Sequence, residues 1–167
     1  MARSAQLALP VLGTLAAALL GGLGSAHSAE FYAALDKPGW APPARLFGPV
    51  WTVLYLMIGV AGGLIALRQE EPRVRSAMRL YAAQLLLNAL WPWLFFEWRL
   101  GGAAFAGIVV LWVVLARTVL EFGRIRPAAA ALLLPYLGWV CFAAALTWSV
   151  WRRNPGLLAI ASALGAR

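Results

Sequence analysis

Apolar and polar positions along the chain alternate in long blocks, not with the short period of a soluble helix or strand. Apolar runs cover residues 7–26, 49–67, 80–98, 103–122 and 128–151. Crossing the hydrocarbon core of a bilayer takes roughly 20 mostly apolar residues, so each run predicts a membrane-spanning helix. The separators 27–48, 68–79, 99–102 and 123–127 hold most of the polar residues, and the later ones are short enough to force antiparallel neighbours and a compact bundle. Pro49 and Pro127 stand at the starts of the second and fifth runs, where a missing N–H leaves no helical bond unmade. The pattern predicts an all-α integral membrane protein, a five-helix transmembrane bundle. It forms one domain over 1–155, with a long loop at 27–48 and a tail at 156–167.

The first run admits a second reading. Arg3, an apolar stretch and then Ser25-Ala26-His27-Ser28-Ala29 resemble a signal peptide with a small-residue cleavage site. The stretch is longer than the usual 7–15-residue apolar region, about 20 residues, which favours a retained helix.

Composition agrees with the blocks. The chain of 167 residues is 63% hydrophobic and 12% charged, with a mean hydropathy of +0.78. A water-soluble domain is about half apolar and a quarter charged. The net charge of +8 comes from basic residues placed almost wholly between the runs, as membrane loops require. They form no single basic face, so no nucleic-acid partner is expected. Counted by side, eight basic residues stand with the N-terminus and six opposite, a slight lean toward a cytoplasmic N-terminus. The only cysteine is Cys141 and the only histidine His27, so neither a disulfide nor a cysteine or multi-histidine metal site is expected. Six carboxylates are a poor supply for acid–base chemistry.

Nine tryptophans are the unusual feature. Trp51 and Tyr55 share one face of the second helix, being four apart. On the third, Gln84, Asn88, Trp91 and Phe95 form one stripe. On the fifth, Tyr136, Trp139 and Ala143 form another, with Phe142 beside it. Each stripe alone is compatible with ordinary helix packing. Together they place indole and phenol groups, each wanting a polar partner, where leucine would pack more cheaply. Such a lining suits a large, flat, partly polar aromatic ligand. Asn88 in a membrane helix should face the interior, to hydrogen-bond another helix or a ligand. Pro92 removes the donor for its carbonyl and should bend the third helix. Pro135 does the same to Ala131 in the fifth. Gly59 and Gly63 make a small-xxx-small pair suited to close helix approach or dimerisation.

In the first loop, Lys37-Pro38-Gly39-Trp40-Ala41-Pro42-Pro43 should be stiff and extended, since its prolines fix φ. It presents Trp40 either as an interfacial anchor or on a lid closing the bundle.

These residues carry a resemblance. Phe31-Tyr32-x-x-Leu35-x-Lys37-Pro38-x-Trp40-x-Pro42-Pro43, then Phe47-x-Pro49-Val50-Trp51-Thr52-x-Leu54-Tyr55, is similar to the translocator protein family, called tryptophan-rich sensory protein in bacteria. So are Tyr81-Ala82-x-Gln84-Leu85-x-Leu87-Asn88-x-x-Trp91-x-x-x-Phe95-Phe96, Pro135-Tyr136-x-x-Trp139-x-x-Phe142-Ala143, and Trp151-Arg152-x-Asn154. The resemblance implies a five-helix bundle, often dimeric, most simply in a bacterial cell membrane. It implies binding of porphyrins and other tetrapyrroles, or of related hydrophobic molecules, with no required cofactor. The family's pocket lies under the first loop, at positions matching Trp40, Trp51, Tyr55, Asn88, Trp91, Phe95, Tyr136, Trp139 and Phe142, with Pro42 and Pro43 in the lid.

Three departures stand out. Ala44-Arg45 replace the Arg-Trp frequent after the double proline. Leu146-Thr147 replace Leu-Asn. Trp148 stands where a cholesterol-recognition pattern would need tyrosine, so that pattern, weak in any case, fails. Three functions then compete: a receptor or transporter for tetrapyrroles, an enzyme degrading porphyrin oxidatively through Trp51 and Trp139, and a ligand-responsive regulatory membrane protein. The lack of an acid–base set favours a non-enzyme.

Overall fold

The computed structural model describes residues 3–158, and side chains from Gln6 onward. Of the predicted tail, 159–167 lies outside the described residues. The described chain is helical, with six α-helices: α1 (Arg3–Gly24), α2 (Ser28–Ala34), α3 (Phe47–Ala66), α4 (Val74–Pro92), α5 (Gly101–Ile125) and α6 (Pro127–Arg153). Four are long and apolar enough to cross a membrane, with spans over Gln6–Gly24, Ala44–Ala66, Gly101–Ile125 and Pro127–Arg153. They mark an integral, multi-pass membrane protein. The remaining predicted span, the third run, is α4, which is 19 residues long but falls short in apolarity. Arg75 and Arg79 sit in its first turns, and Gln84 and Asn88 in its middle.

The five long helices pack in a ring. α1 contacts α3, α3 contacts α6, α6 contacts α5, α5 contacts α4, and α4 returns to α1. One end of the ring collects the turns rich in arginine, where Glu121 meets Arg73 at 3.8 Å and Arg124 at 2.5 Å. The other end carries α2 and the 35–43 segment. The core runs through the middle of the ring, with Ile58, Tyr81, Leu115, Leu133 and Tyr136 fully or almost fully buried.

Glycines set the closest contacts. A Cβ on Gly59 would touch Thr14 at 3.8 Å, and one on Gly63 would press Leu7 at 3.2 Å. The small-xxx-small pair therefore seats α1 against α3 within one chain, and is not turned outward for a second copy. Gly62 leaves room for the Tyr81 ring, with which any side chain would collide.

The third predicted helix differs from the sequence reading at both ends. The third helix begins at Val74, not 80, because Arg75 and Arg79 lie on its exposed face and prolong the helix out of the apolar zone. At its other end, Pro92 closes the α-helix and the chain widens into a π turn, Trp93–Glu97, in which the Trp98 N–H reaches back to the Trp93 carbonyl at 2.8 Å. The proline predicted to bend this helix is its last α-helical residue, at the junction with the π turn. Arg99 follows at φ 54°, a left-handed residue that turns the chain into α5, its guanidinium 4.8 Å above the Phe31 ring.

The 27–48 segment is not a loop throughout. It contains α2 and a 3₁₀ turn, Ala44–Leu46. Nor is 37–43 fully extended: the Ala41 N–H bonds the Pro38 carbonyl at 2.9 Å, making a tight turn at Gly39-Trp40.

Candidate functional site

Inside the ring lies a cavity of about 750 Å³. All five long helices line it, together with α2 and the 3₁₀ turn. Its aromatic walls are Trp51 and Tyr55 from α3, Trp91 from α4, Phe95 from the π turn and Trp139 from α6. The Trp51 and Tyr55 rings lie 5.4 Å apart, and Trp91 stacks on Phe95 at 5.1 Å with an 11° tilt. These contacts brace the rings against one another.

The polar centre is a bridge across three helices. Tyr55 Oη donates to Asn88 Oδ1 at 2.5 Å, and Asn88 Nδ2 donates to Tyr136 Oη at 2.8 Å. Asn88 thus makes the interhelical hydrogen bonds that its position called for and also faces the cavity. Below it, Thr14 Oγ1 lies 2.6 Å from Tyr81 Oη, and Tyr81 reaches the Ile58 carbonyl at 3.2 Å, tying α1, α3 and α4 together. Four lining hydroxyls also donate to carbonyls of their own helices: Thr14 to Pro10 at 2.7 Å, Ser25 to Gly21 at 2.9 Å, Thr52 to Gly48 at 3.0 Å and Thr147 to Ala143 at 2.7 Å. Ring faces and aliphatic side chains are what the cavity mainly offers. The exceptions are the Tyr55–Asn88 pair at its wall and Ser28 on α2.

Trp51, Tyr55, Asn88, Trp91, Phe95 and Trp139 come together around the cavity as their stripes predicted. Three site residues and the two lid prolines stand elsewhere. Tyr136 is fully buried behind Asn88, a support and not a lining. Phe142 sits behind Trp139 at 5.3 Å, and Trp40 leans edge-on against Phe142 at 5.7 Å with half its surface exposed. Pro42 and Pro43 lie outside the lining; the Pro42 carbonyl accepts from Tyr32 Oη at 2.9 Å. Burial pushes the Tyr32 phenol pKa up, so it stays protonated and keeps donating well into alkaline pH. The reason for these displacements is geometric: spacing fixes the face of a helix, but not whether a side chain reaches the cavity or the layer behind it.

α1 was not read as part of the site, yet Val11, Thr14, Leu15, Ala18, Gly21, Gly22 and Ser25 form one wall. The signal was present in the run: Thr14, Gly21 and Ser25, spaced seven and four, place small or polar residues on one face. Both of the departures at Ala44 and at Leu146-Thr147 also fall on the lining.

The sequence pattern of the TspO/MBR family matches residues 8–152, nearly the whole described chain. The chain belongs to the TspO/MBR family. A Tryptophan-rich protein TspO of Chlorobaculum tepidum is 39% identical over 126 residues, 75% of this chain and 80% of that protein. A Translocator protein of Sus scrofa is 39% identical over 155 residues, 89% of this chain and 92% of that one. A Tryptophan-rich sensory protein of Cereibacter sphaeroides is 34% identical over 125 residues, 75% and 77% of the two chains. The matched TspO/MBR segment runs from α1 to the end of α6, and so contains every helix that lines the cavity.

Proposed function

We propose that this protein spans the membrane five times and binds a tetrapyrrole such as protoporphyrin in the ring cavity, as a receptor or carrier and not as an enzyme. The observation that carries the reading is the cavity itself. Its volume, about 750 Å³, lies within the roughly 300–1,000 Å³ of small-molecule sites. Indole and phenyl faces from four elements, α3, α4, the π turn and α6, bound it, and the Tyr55–Asn88 pair offers polar contact at the wall. A planar macrocycle with apolar faces and a few polar edge groups matches that lining. The domain is taken as residues 1–155, with α1 retained as a cavity wall.

α4 serves as the fifth span in this reading. The polar residues of its later turns are hidden inward: Gln84 is fully buried and Asn88 nearly so, while Leu86 and Leu90 face outward. A helix whose polar groups meet only protein can sit at membrane depth despite modest apolarity. Among the described residues the cavity lining carries no carboxylate, histidine, lysine or arginine, so no acid–base pair of theirs faces a ligand. That supports binding over catalysis.

The test is equilibrium titration of protoporphyrin IX into the full-length protein in lipid nanodiscs, followed by the shift of the porphyrin absorbance band. One saturable site per chain is expected. Only linear partitioning, equal to that of empty nanodiscs, overturns the reading. Flux into sealed vesicles then divides carrier from receptor, and loss of porphyrin absorbance under light would expose a degrading enzyme.

A further inference from the structure

Asn154 belongs to the Trp151-Arg152-x-Asn154 motif at the end of α6, yet it does not line the cavity. It is buried, and its side chain reaches 118 positions back along the chain. Asn154 Oδ1 accepts from the Asp36 N–H at 2.8 Å, and Asn154 Nδ2 donates to the Asp36 carbonyl at 2.8 Å. Nδ2 also donates to the Val150 carbonyl at 2.7 Å, which fixes the side chain to its own helix. The amide therefore pairs with the N–H and the C=O of one residue, as a neighbouring antiparallel β-strand would, and holds Asp36 by its backbone.

The segment held in this way, residues 35–43, joins two pieces of the cavity roof. α2 contributes Ser28, Ala29 and Tyr32 to the lining, and the 3₁₀ turn contributes Ala44. Leu35 is buried against Phe31, Phe95 and Leu146. At the far end of the segment, Tyr32 Oη holds the Pro42 carbonyl. Between the two pins, Trp40 rests on Phe142, which backs the Trp139 wall. A second link, Arg153 to the Asp36 carboxylate at 3.7 Å, is solvent-exposed on both sides, and exposed ion pairs of this kind hold little.

We propose that Asn154 is a positioning residue for the roof: its two-way pairing with the Asp36 backbone straps residues 35–43 across the loop end of the bundle and sets how fast a bound ligand leaves. The release-rate part rests on the tetrapyrrole reading above; the strapping part does not.

The experiment uses full-length protein in phosphatidylcholine nanodiscs and two readouts. Amide hydrogen exchange over 35–43 is measured without ligand, and the dissociation rate of protoporphyrin IX is measured with excess albumin as acceptor. Asn154→Ala removes both bonds, and is expected to raise exchange at 35–43 and the dissociation rate by about tenfold each, with α3 and α6 protected as before. Asn154→Asp keeps the acceptor for the Asp36 N–H and loses the donors; about half the logarithmic effect is expected, and this variant decides the matter if the alanine variant does not fold. Asp36→Ala keeps the backbone pairing and loses only the ion pair, so both rates should stay within about twofold of wild type. Unchanged exchange in Asn154→Ala overturns the strap. Asp36→Ala behaving like Asn154→Ala assigns the hold to the ion pair and overturns the proposal as well. Faster exchange with unaltered dissociation overturns the release role. If wild type shows no saturable porphyrin binding, the tetrapyrrole reading and the release role fail together, while exchange still decides the strap.

Discussion

Asn88→Leu deletes the hub of the three-helix bridge while keeping the side chain's heavy-atom count and branching. Two hydrogen bonds disappear, one from Tyr55 at 2.5 Å and one to Tyr136 at 2.8 Å. Interhelical hydrogen bonds in membrane proteins average about 0.6 kcal/mol, reaching about 1.7. Tyr136 is fully buried, so its hydroxyl has no water to turn to, and an orphaned buried hydroxyl costs about 1–3 kcal/mol. Tyr55 is only partly buried and lines the cavity, so its hydroxyl can recover a partner. The sum is a loss of about 2–4 kcal/mol, dominated by Tyr136. The assay is unfolding in mixed micelles with increasing denaturing detergent, run as a cycle with Tyr136→Phe. With no hydroxyl left to orphan, Asn88→Leu in the Tyr136→Phe background should lose about 1–2 kcal/mol less than in wild type. Strictly additive losses would refute the claim that Asn88 acts through Tyr136, and a neutral Asn88→Leu would refute the bridge.

Further expectations concern the roof, an unpaired amide and α1. Pro42→Gly with Pro43→Gly should weaken porphyrin affinity several-fold while leaving helix content by circular dichroism unchanged, because a looser segment must be ordered on binding; unaltered affinity would make this stretch a mere connector. Gln84 is fully buried, and neither its Oε1 nor its Nε2 has a hydrogen-bond partner among the described residues. Gln84→Leu should therefore raise resistance to detergent unfolding by about 1–3 kcal/mol, and a destabilised variant would show that the amide is paired in the membrane. Deleting residues 1–26 removes the wall that holds Thr14 against Tyr81, so the shortened chain should lose saturable porphyrin binding in the same titration; retained affinity would take α1 out of the site.

How much of this was legible in the chain depends on which force fixed each feature. The bilayer demands length and apolarity, so α1, α3, α5 and α6 were readable within a few residues. α4 was readable as the run at 80–98 but about six residues too late at each end, because its arginine-bearing first turns look like a loop and its last predicted residues form the π turn. α2, at seven residues, carries no periodic signal strong enough to see; tertiary contacts of Phe31 and Tyr32 hold it. In the site, spacing gave the correct face for Trp51, Tyr55, Asn88, Trp91, Phe95 and Trp139. It could not give depth, which is why Tyr136 and Phe142 stand one layer back and Trp40 outside. The α1 wall and the Asn154–Asp36 pairing depend on contacts across the bundle, which no local pattern encodes.

The central claim, that the aromatic ring cavity is where a tetrapyrrole binds, is tested most directly by one comparative titration. Protoporphyrin IX is added to wild type, Trp139→Ala and Trp112→Phe in nanodiscs, and the affinity of each is measured. Trp139 is a cavity wall, and stacking on an aromatic side chain contributes about 1–3 kcal/mol. Trp112 lies on α5 with its indole N–H toward Cys141 Sγ and takes no part in the lining. The account predicts a loss of about 5- to 100-fold for Trp139→Ala, and no more than about twofold for Trp112→Phe. Equal losses in the two variants, or a folded Trp139→Ala that binds like wild type, would contradict it.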